Sequence, residues 1–348
     1  MSEFTDTVIA DDAMETMRHM IDGFCISRNI YVAAELGLAD LLKDGPASIE
    51  VLARATGSHG PSLYRVMRAL VSVGIFVEDD QKRFGLTPLA ATLRTGGPGS
   101  MRDLVVNSLG EEPYRAWGDI MHTIQTGETA FDHVFGMGVW QYRAEHPDHG
   151  AVFDQSRSSV TEIWNAAVTA NYAFSHFKKV IDIGGGDGSL MISILRANPM
   201  AKGVVVDLPR VAERANTRIA DAGLADRCEF ISSDAFQSLP NGGDAYILSR
   251  VIHNWNNERS VALLRSCYYA MTPNAKILLI ERYLPQRVDQ STASRTAVLS
   301  DMGMLVMTGG CERTESEYRT LLTCAGLSFT KIIVTDSGLW VIEGMRER

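Results

Sequence analysis

Apolar residues recur at helical spacing through the first part of the chain. Between about residues 13 and 43 they include Met17, Met20, Ile21 and Phe24, and the pattern continues into Leu41. This spacing predicts one long helix over 13–43. Its apolar face is wider than a small neighbouring domain would cover, which favours contact with a second copy of the chain.

The next segment carries start and stop signals for two short helices. Ser48 predicts the beginning of a helix that ends at Gly57, and a second helix is expected from about Pro61 to Gly74. The stretches IFVEDD and RFGLT then predict two short strands around a charged turn. Together these elements indicate a winged-helix arrangement within an N-terminal domain of residues 1–110.

From Lys178 onwards, short apolar runs alternate with helical stretches. The candidate strands are KVIDI, KGVVVD, CEFISSD, DAYILS and KILLIE. Such alternation is typical of a doubly wound α/β fold with a parallel sheet. The last two runs, FTKIIVT and LWVIEGM, are separated by three residues, too few for a parallel crossover, so they are expected to form an antiparallel hairpin. We assign this domain to residues 111–348, with a helical segment over 111–178.

Composition narrows the functional class. The 348 residues carry a formal net charge of −9 without a long run of Lys or Arg, which argues against a general nucleic-acid or anionic-membrane binder. Five widely spaced cysteines form no CxxC pair, so a reducing cytoplasm fits better than a disulfide framework. The sequence shows no signal peptide and no apolar run of about 18 residues.

A glycine-rich loop follows the first candidate strand, in the stretch VIDIGGGDGSL at 180–190. It is a poor dinucleotide fingerprint, because the third position of the G-x-G-x-x-G pattern is Ser189. Asp182 and Asp187 flank the glycines and would repel a pyrophosphate but attract a sulfonium or an ammonium.

Two further acids follow the next two strands. Asp207 is placed to bind ribose hydroxyls, and Asp234 is placed to accept from an adenine amino group. Ligands of open parallel sheets bind at the carboxyl ends of the strands, where all of these acids fall. The set predicts S-adenosylmethionine as the ligand.

The chain resembles class I S-adenosylmethionine-dependent O-methyltransferases of the plant caffeate and bacterial natural-product type. The resemblance covers nearly the whole chain and is carried by these stretches: GETAFDHVFGMGVWQY (127–142), VIDIGGGDGSL, VVVDLP, LSRVIHNWNNE (248–258) and GGCERTESEYRTLLTCAGL (309–327). It implies a seven-stranded methyltransferase sheet with an antiparallel last strand, a helical dimerisation domain, a homodimer and a small aromatic or heteroaromatic acceptor with a hydroxyl group. The sequence shows no metal-ligand cluster, so we predict that S-adenosylmethionine binds without a metal.

The resemblance also implies roles for individual residues. His253 matches the family's catalytic base, and Glu281 and Glu312 match the two acids that flank it. We predict that cofactor contacts cluster at the strand ends, at Asp182, Gly184, Gly186, Asp207, Leu208, Asp234, Ala235, Phe236, Ser249 and Arg250.

For the acceptor we predict a pocket of aromatic, thioether and polar side chains: Phe131, Met137, Trp140, Arg157, Asn254, Asp301, Met302 and Met304. Met302 and Met304 fit a core position equally well. Three residues depart from the family's pattern. Asn254 replaces a common Asp, Ser249 stands where Lys is frequent, and Arg157 stands where plant members carry a pocket methionine.

Three other functions remain open at this point. Some members of this fold use the bound cofactor for hydroxylation, decarboxylation or pericyclic chemistry, although the retained His253 argues against this. A winged-helix DNA-binding regulator is disfavoured because its recognition helix, PSLYRVMRALVSVG, offers only Arg65 and Arg68. A nicotinamide-dependent oxidoreductase is disfavoured by the missing third glycine, the acids and the terminal hairpin.

Overall fold

The computed structural model describes residues 11–97 and 99–346, apart from the side chains at 11 and 158–160. The chain divides into two compact units between Tyr114 and Arg115. The first unit is mostly helical, and the second is built on a large sheet.

The first unit contains one long helix, several short helices and a small antiparallel sheet. Its elements are α1 Asp11–Glu35, α2 Leu38–Leu41, β1 Ala47–Ser48, α3 Ile49–Thr56, α4 Gly60–Ser72, β2 Phe76–Glu78, β3 Arg83–Leu86, α5 Pro88–Ala91 and α6 Arg102–Leu109. The two predicted helices and two predicted strands correspond to α3, α4, β2 and β3. Strand β1 pairs with β3 as well and gives the sheet order β1-β3-β2, so the sheet has one strand more than the sequence indicated.

The prediction of one continuous helix over 13–43 is wrong at its end. Helix α1 stops at Glu35, and Gly37 adopts a left-handed conformation with φ of 63° before α2 begins. Glycine enters this region without the steric cost that a Cβ would bring. The turn directs Leu38 and Ala39 into the core of the first unit, where both are fully buried.

The second unit begins with five helices and continues as alternating strands and helices. The helices that precede the sheet are α7 Glu111–Gly118 (which starts just before the unit boundary), α8 Ile120–Thr126, α9 Ala130–Phe135, α10 Val139–Glu145 and α11 Pro147–Asn171. The alternating part comprises β4 Lys179–Ile183, α12 Ser189–Ala197, β5 Lys202–Asp207, α13 Ala212–Asp221, β6 Cys228–Ser232, β7 Ala245–Ser249, α14 Asn257–Ala270, β8 Lys276–Arg282, α15 Thr292–Met307, α16 Glu315–Cys324, β9 Leu327–Val334 and β10 Leu339–Arg346.

The seven large strands form one sheet in the order β6-β5-β4-β7-β8-β10-β9. Strands β4 to β8 run parallel, whereas β10 is antiparallel to both β8 and β9. The predicted doubly wound sheet with a closing antiparallel hairpin is therefore confirmed. The strand order reverses at β4, which pairs with β5 on one side and β7 on the other. This reversal opens a crevice at the carboxyl ends of those strands.

Both faces of the sheet are covered, which explains why its central strands are apolar throughout. In β4, Val180 packs into the core on one face and Ile181 packs into the core on the other, and neither is exposed. Continuous apolar strands are the expected signature of a sheet that is buried on both sides. Among the described helices, none is long and apolar enough to cross a membrane.

The α1 helix leaves large apolar side chains in solvent. Met14, Met17, Met20, Ile21 and Phe24 are each more than half exposed. We expect a second copy of the chain to cover this stripe, because apolar area of this size is costly to leave in water. Light scattering should then return twice the 38.2 kDa mass of the chain.

Met20→Asp should shift that mass towards the monomer by burying a charge in the interface. Met200→Asp is the matched control, since Met200 is 93% exposed in the second unit and should leave the mass unchanged. A monomer mass for the unmodified chain at micromolar concentration would contradict the prediction.

Candidate active site

A cavity of about 440 Å³ lies in the second unit, at the carboxyl ends of β4, β5 and β7. Most of the residues predicted for the site line this cavity: Trp140, Arg157, Asp182, Gly184, Gly186, Asp207, Leu208, Asp234, Ala235, Phe236, Ser249, Arg250, His253 and Asn254. The fold therefore brings together residues from positions 140 to 254 in one space.

The glycine-rich loop between β4 and α12 depends on the absence of side chains. Gly184, Gly186 and Gly188 have φ values of 68°, 56° and 77°, in the left-handed region that favours glycine. A Cβ at Gly185 would come within 2.8 Å of the Asp182 carboxylate. Because the loop has no side chains there, its backbone can approach a ligand closely.

Asp182, at the end of β4, is a buried carboxylate without a partner. Its exposure is 1%, and neither of its oxygens has a hydrogen bond among the described residues. Burial, reinforced by the charges of Asp207 and Asp187, raises the pKa of Asp182 to about 8. A buried carboxylate without a partner would be stabilised by a nearby cation, such as a sulfonium or an ammonium group.

Asp187 also lines the cavity, but unlike Asp182 it has partners within the protein. Its carboxylate accepts a hydrogen bond from Arg218 at 2.8 Å and lies 3.5 Å from Arg214. Its other oxygen accepts from the backbone N–H of Ser189 at the start of α12. Asp187 is thus neutralised by two arginines and fixes the helix that follows the loop.

Asp207 and Asp234 follow the next two strands. The carboxylate of Asp207 accepts from the backbone N–H of Gly186 at 2.8 Å and of Leu208 at 2.7 Å, and burial raises its pKa. Asp234 lies two residues beyond the end of β6 and accepts from the backbone N–H of Phe236 at 2.9 Å. Both acids therefore have their side chains oriented by the loops that surround the cavity.

His253 stands on a 3-10 turn, Ile252–Asn254, that follows β7. It is 4% exposed, and its Nδ1 atom lies 3.0 Å from Oε2 of Glu281 and 3.6 Å from Oε1 of Glu312. The first contact is close and electrostatic, although its alignment is not that of a linear hydrogen bond. The other oxygen of Glu281 accepts from the backbone N–H groups of Val251 and Ile252, at 3.0 and 2.8 Å.

Glu312 is held from two sides. Ser300 donates a hydrogen bond to Oε1 of Glu312 at 2.7 Å, and the backbone N–H of Glu312 donates to Asp301 at 2.8 Å. Burial raises the pKa of Glu312, while the nearby His253 opposes that change. Asp301, which is predicted to contact the methyl acceptor, uses one carboxylate oxygen to position the Glu312 backbone.

Arg313 is an anchor of this region that the sequence analysis missed. It is 1% exposed, and its guanidinium donates to the backbone oxygens of Ile252 and Trp255 and to Oδ1 of Asn257, at 2.8 to 3.2 Å. A buried arginine bonded in this way clamps the loop that carries His253. The only signal in the sequence was its place next to Glu312.

Several predicted acceptor residues lie outside the cavity wall. Phe131 is fully buried in an apolar cluster with Ala116, Ala130, Val139 and Val306, behind the cavity residue Trp140. The three predicted methionines are half-buried, and they lie on α15 or just before α10: Met302, Met304 and Met137.

Other aromatic residues, which the sequence did not single out for this role, line the cavity: Phe153, Trp164 and Trp255. Trp140 packs edge-on against Phe153, with ring centroids 5.6 Å apart, and its indole Nε1 has no hydrogen-bond partner among the described residues. The side-chain amide of Asn254 donates to the backbone oxygens of Arg250 and Val251, so it braces its own turn.

Two groups in the described residues bring three His or carboxylate ligand atoms within 4.8 Å of one another. One is Asp119, His122 and His133; the other is His253, Glu281 and Glu312. In the second group, Glu281 and Glu312 each use one oxygen to bind neighbouring protein groups. Carboxylates engaged in this way suit the orientation of a histidine.

Comparison with known proteins supplies the family. A family model described as the O-methyltransferase domain matches residues 117–328, and one described as the O-methyltransferase dimerisation domain matches residues 18–96. The phenazine O-methyltransferase PhzM of Lysobacter antibioticus is 44% identical over 324 residues, which cover 93% of this chain and 94% of that protein. The mitomycin biosynthesis 6-O-methyltransferase of Streptomyces lavendulae is 35% identical, covering 94% and 92%.

A similar solved structure contains ligands. The O-methyltransferase NcsB1 from neocarzinostatin biosynthesis, in complex with S-adenosylmethionine and 2-hydroxy-5-methyl naphthoic acid, superposes with a TM-score of 0.82. It is 30% identical to this chain, and the match covers 92% of this chain and 95% of that one.

The raised pKa of Asp182 predicts how the stability of the ligand-free protein depends on pH. The folded protein retains a proton that the unfolded carboxyl loses near pH 4, so Asp182 makes the free energy of unfolding fall as pH rises from about 4 to about 8. Asp182→Asn removes this penalty and should raise the melting temperature of the ligand-free protein at about pH 8.

If Asp182 contacts the positive charge of the ligand, binding needs the ionised form of its carboxyl group. Affinity for S-adenosylhomocysteine, whose ammonium group the carboxylate would face, should therefore rise on the order of tenfold from about pH 6 to about pH 8. Calorimetry should show a flat profile for Asp182→Asn and the normal rise for Asp226→Asn, because Asp226 is exposed. The same rise in both variants would remove Asp182 from the ligand site.

Proposed function

Because the chain belongs to the S-adenosylmethionine-dependent O-methyltransferases, we propose that it methylates a hydroxyl group of a small aromatic secondary metabolite, with His253 as the general base. The observation that carries this proposal is the cavity itself. It places the unpartnered carboxylate of Asp182 and the imidazole of His253, which is backed by two carboxylates, on the wall of the same space.

The cofactor half of the cavity is formed by acids of three successive strand ends. We assign the ribose hydroxyls to Asp207, the adenine amino group to Asp234 and the positive charge of the methionine part to Asp182. The glycine loop lets the backbone approach that part closely. When bound, S-adenosylmethionine supplies an electrophilic methyl group that needs alignment rather than further activation.

His253 provides the proton transfer. Its Nδ1 faces Glu281 and Glu312, which leaves Nε2 as the nitrogen that accepts the proton of the acceptor hydroxyl. A phenol ionises near pH 10, so removal of its proton at neutral pH needs a base. The adjacent carboxylates stabilise the imidazolium that results. Glu281 also accepts hydrogen bonds from the backbone N–H groups of Val251 and Ile252, and these bonds hold the turn that carries the ring.

The acceptor half is aromatic. Trp140, Phe153 and Trp164 line the cavity and offer flat apolar surfaces. The names of the relatives agree with such an acceptor, since they refer to a phenazine and to mitomycin, and the neighbouring structure contains a naphthoic acid. The same names support a place in the biosynthesis of secondary metabolites.

We also propose that the protein acts in the cytoplasm. All five of its cysteines are free, and two of them, Cys228 and Cys267, are buried in the core of the second unit, which suits a reducing compartment.

His253→Ala should lower turnover on a neutral phenol by ~10²–10⁴-fold, because the proton then has no base to accept it. Affinity for S-adenosylhomocysteine should be retained, since the cofactor contacts lie on other strand ends. Turnover should fall least for methyl acceptors whose hydroxyl group is already ionised at the assay pH. Turnover is measured with labelled S-adenosylmethionine and affinity by calorimetry.

His59→Ala is the matched control, because His59 is an exposed histidine of the first unit. If His253→Ala keeps near-normal turnover on a neutral phenol, His253 has a packing role and the base must be sought elsewhere.

We further propose that methyl transfer needs no metal. Glu281 and Glu312 serve as hydrogen-bond and charge partners of His253, and the proposed reaction needs no Lewis acid. Dialysis against EDTA should therefore leave turnover within about twofold of the untreated value. Loss of activity that magnesium or zinc restores would contradict this and would turn attention to the His253, Glu281 and Glu312 group.

A further inference from the structure

Two arginines on the cavity wall, Arg157 and Arg250, form no salt bridge among the described residues. The guanidinium of Arg157 lies 4.9 Å from the ring centroid of Phe153, and that of Arg250 lies 4.2 Å from the ring centroid of Trp164. Among the described residues, neither guanidinium forms a salt bridge or donates a hydrogen bond. Both residues are partly buried, so they face the cavity more than bulk solvent.

The surroundings of Arg157 are positively charged. Burial lowers its pKa well below the usual range, and Arg250, Arg143 and Arg282 lower it further. Asp154 opposes these effects, but the carboxylate of Asp154 is bonded to Arg210. Because a partly buried cation that is surrounded by other cations is costly, this part of the cavity favours an anionic group on a ligand.

The cofactor alone does not satisfy this demand. It carries one carboxylate together with an ammonium and a sulfonium, so it adds net positive charge to the cavity. Arg250 is the arginine next to the cofactor, since it precedes Val251, whose side chain would lie 2.7 Å from a Cβ at Gly184 of the glycine loop. Glu281 and Glu312 also offset the charge of Arg250.

Arg157 lies beside Phe153 and has no pair of carboxylates that offset its charge as Glu281 and Glu312 do for Arg250. Its partner Phe153 packs edge-on against Trp140, and both rings line the cavity, where the acceptor is proposed to bind. Arg157 also offers a planar set of donors that matches a carboxylate in a bidentate manner. Arg157 is therefore the cavity arginine that lies beside the aromatic residues Phe153 and Trp140, which are proposed to bind the methyl acceptor.

We propose that Arg157 binds a carboxylate carried by the methyl acceptor, so that the preferred substrate is an aromatic hydroxy acid. This inference rests on the proposed function and narrows its substrate class. The methyl group forms its new bond to the hydroxyl oxygen, the carbon–sulfur bond breaks, and the proton goes to His253. The carboxylate remains unmodified and serves to orient the ring.

The test compares hydroxybenzoic and hydroxynaphthoic acids with their primary carboxamides, which keep the shape and lose the charge. The unmodified enzyme should prefer each acid by on the order of tenfold or more in kcat/KM. Arg157→Met should reduce that preference to within about threefold, mainly through KM, and Arg157→Lys should restore part of it. Arg295→Met is the matched control, because Arg295 is an exposed arginine on α15.

Binding measurements distinguish whether Arg157 binds the carboxylate of the methyl acceptor or the carboxylate of the cofactor. Affinity for S-adenosylhomocysteine should be unchanged in Arg157→Met, whereas binding of the acids to the enzyme loaded with S-adenosylhomocysteine should weaken. If Arg157→Met weakens the cofactor product and leaves the acid preference intact, Arg157 holds the cofactor carboxylate and the inference is overturned. Arg157→Gln, checked by its melting curve, provides the same comparison if the methionine variant does not fold.

The inference and the proposed function fail in different ways. Methylation of carboxamides and acids at equal rates would overturn the inference and leave the O-methyltransferase function standing. Acids that bind through Arg157 without being methylated would support the anion site and contradict the proposed function.

Discussion

The buried carboxylate of Glu281 is the contact on which the catalytic end of the cavity depends. It is fully buried at the end of β8, where one oxygen accepts from two backbone N–H groups and the other faces His253. The backbone bonds fix the turn after β7, and the charge holds one side of the imidazole. Two adjacent strands of the sheet thereby set the position of the proposed base, and Arg313 clamps the same turn from behind.

Some charged groups on the cavity wall have partners within the protein, and others have none. Asp182 is a buried carboxyl group without a hydrogen-bond partner near the glycine loop, while Arg157 lies beside Phe153 and near other arginines without a salt bridge among the described residues. Asp187, only five residues from Asp182, is neutralised by arginines and has a structural role. Unpaired buried charges cost free energy of folding, so their persistence points to ligands that carry the complementary charges.

The sequence predicted the sheet well because each of its strands is a local pattern. Strands such as Lys179–Ile183 and Lys202–Asp207 are short apolar runs between helical stretches, and the loop before Leu339–Arg346 is too short for anything but a hairpin. The long helix failed at Gly37 because the apolar periodicity continues across the turn, and periodicity alone does not reveal a left-handed residue. The family match also disfavours the alternatives of a DNA-binding regulator and a nicotinamide-dependent oxidoreductase.

The sequence by itself determined the fold class, the glycine loop and the acids at the strand ends, because strand alternation and strand ends are local features and parallel strands bring their ends to one edge. Tertiary structure alone decided which neighbours each side chain meets. It paired Asp187 with Arg218, buried Phe131 in an apolar cluster, turned Asp301 to the backbone and left Arg157 without a salt bridge among the described residues. These outcomes depend on contacts between residues far apart in the chain, since a charge acquires its partner only when distant helices pack.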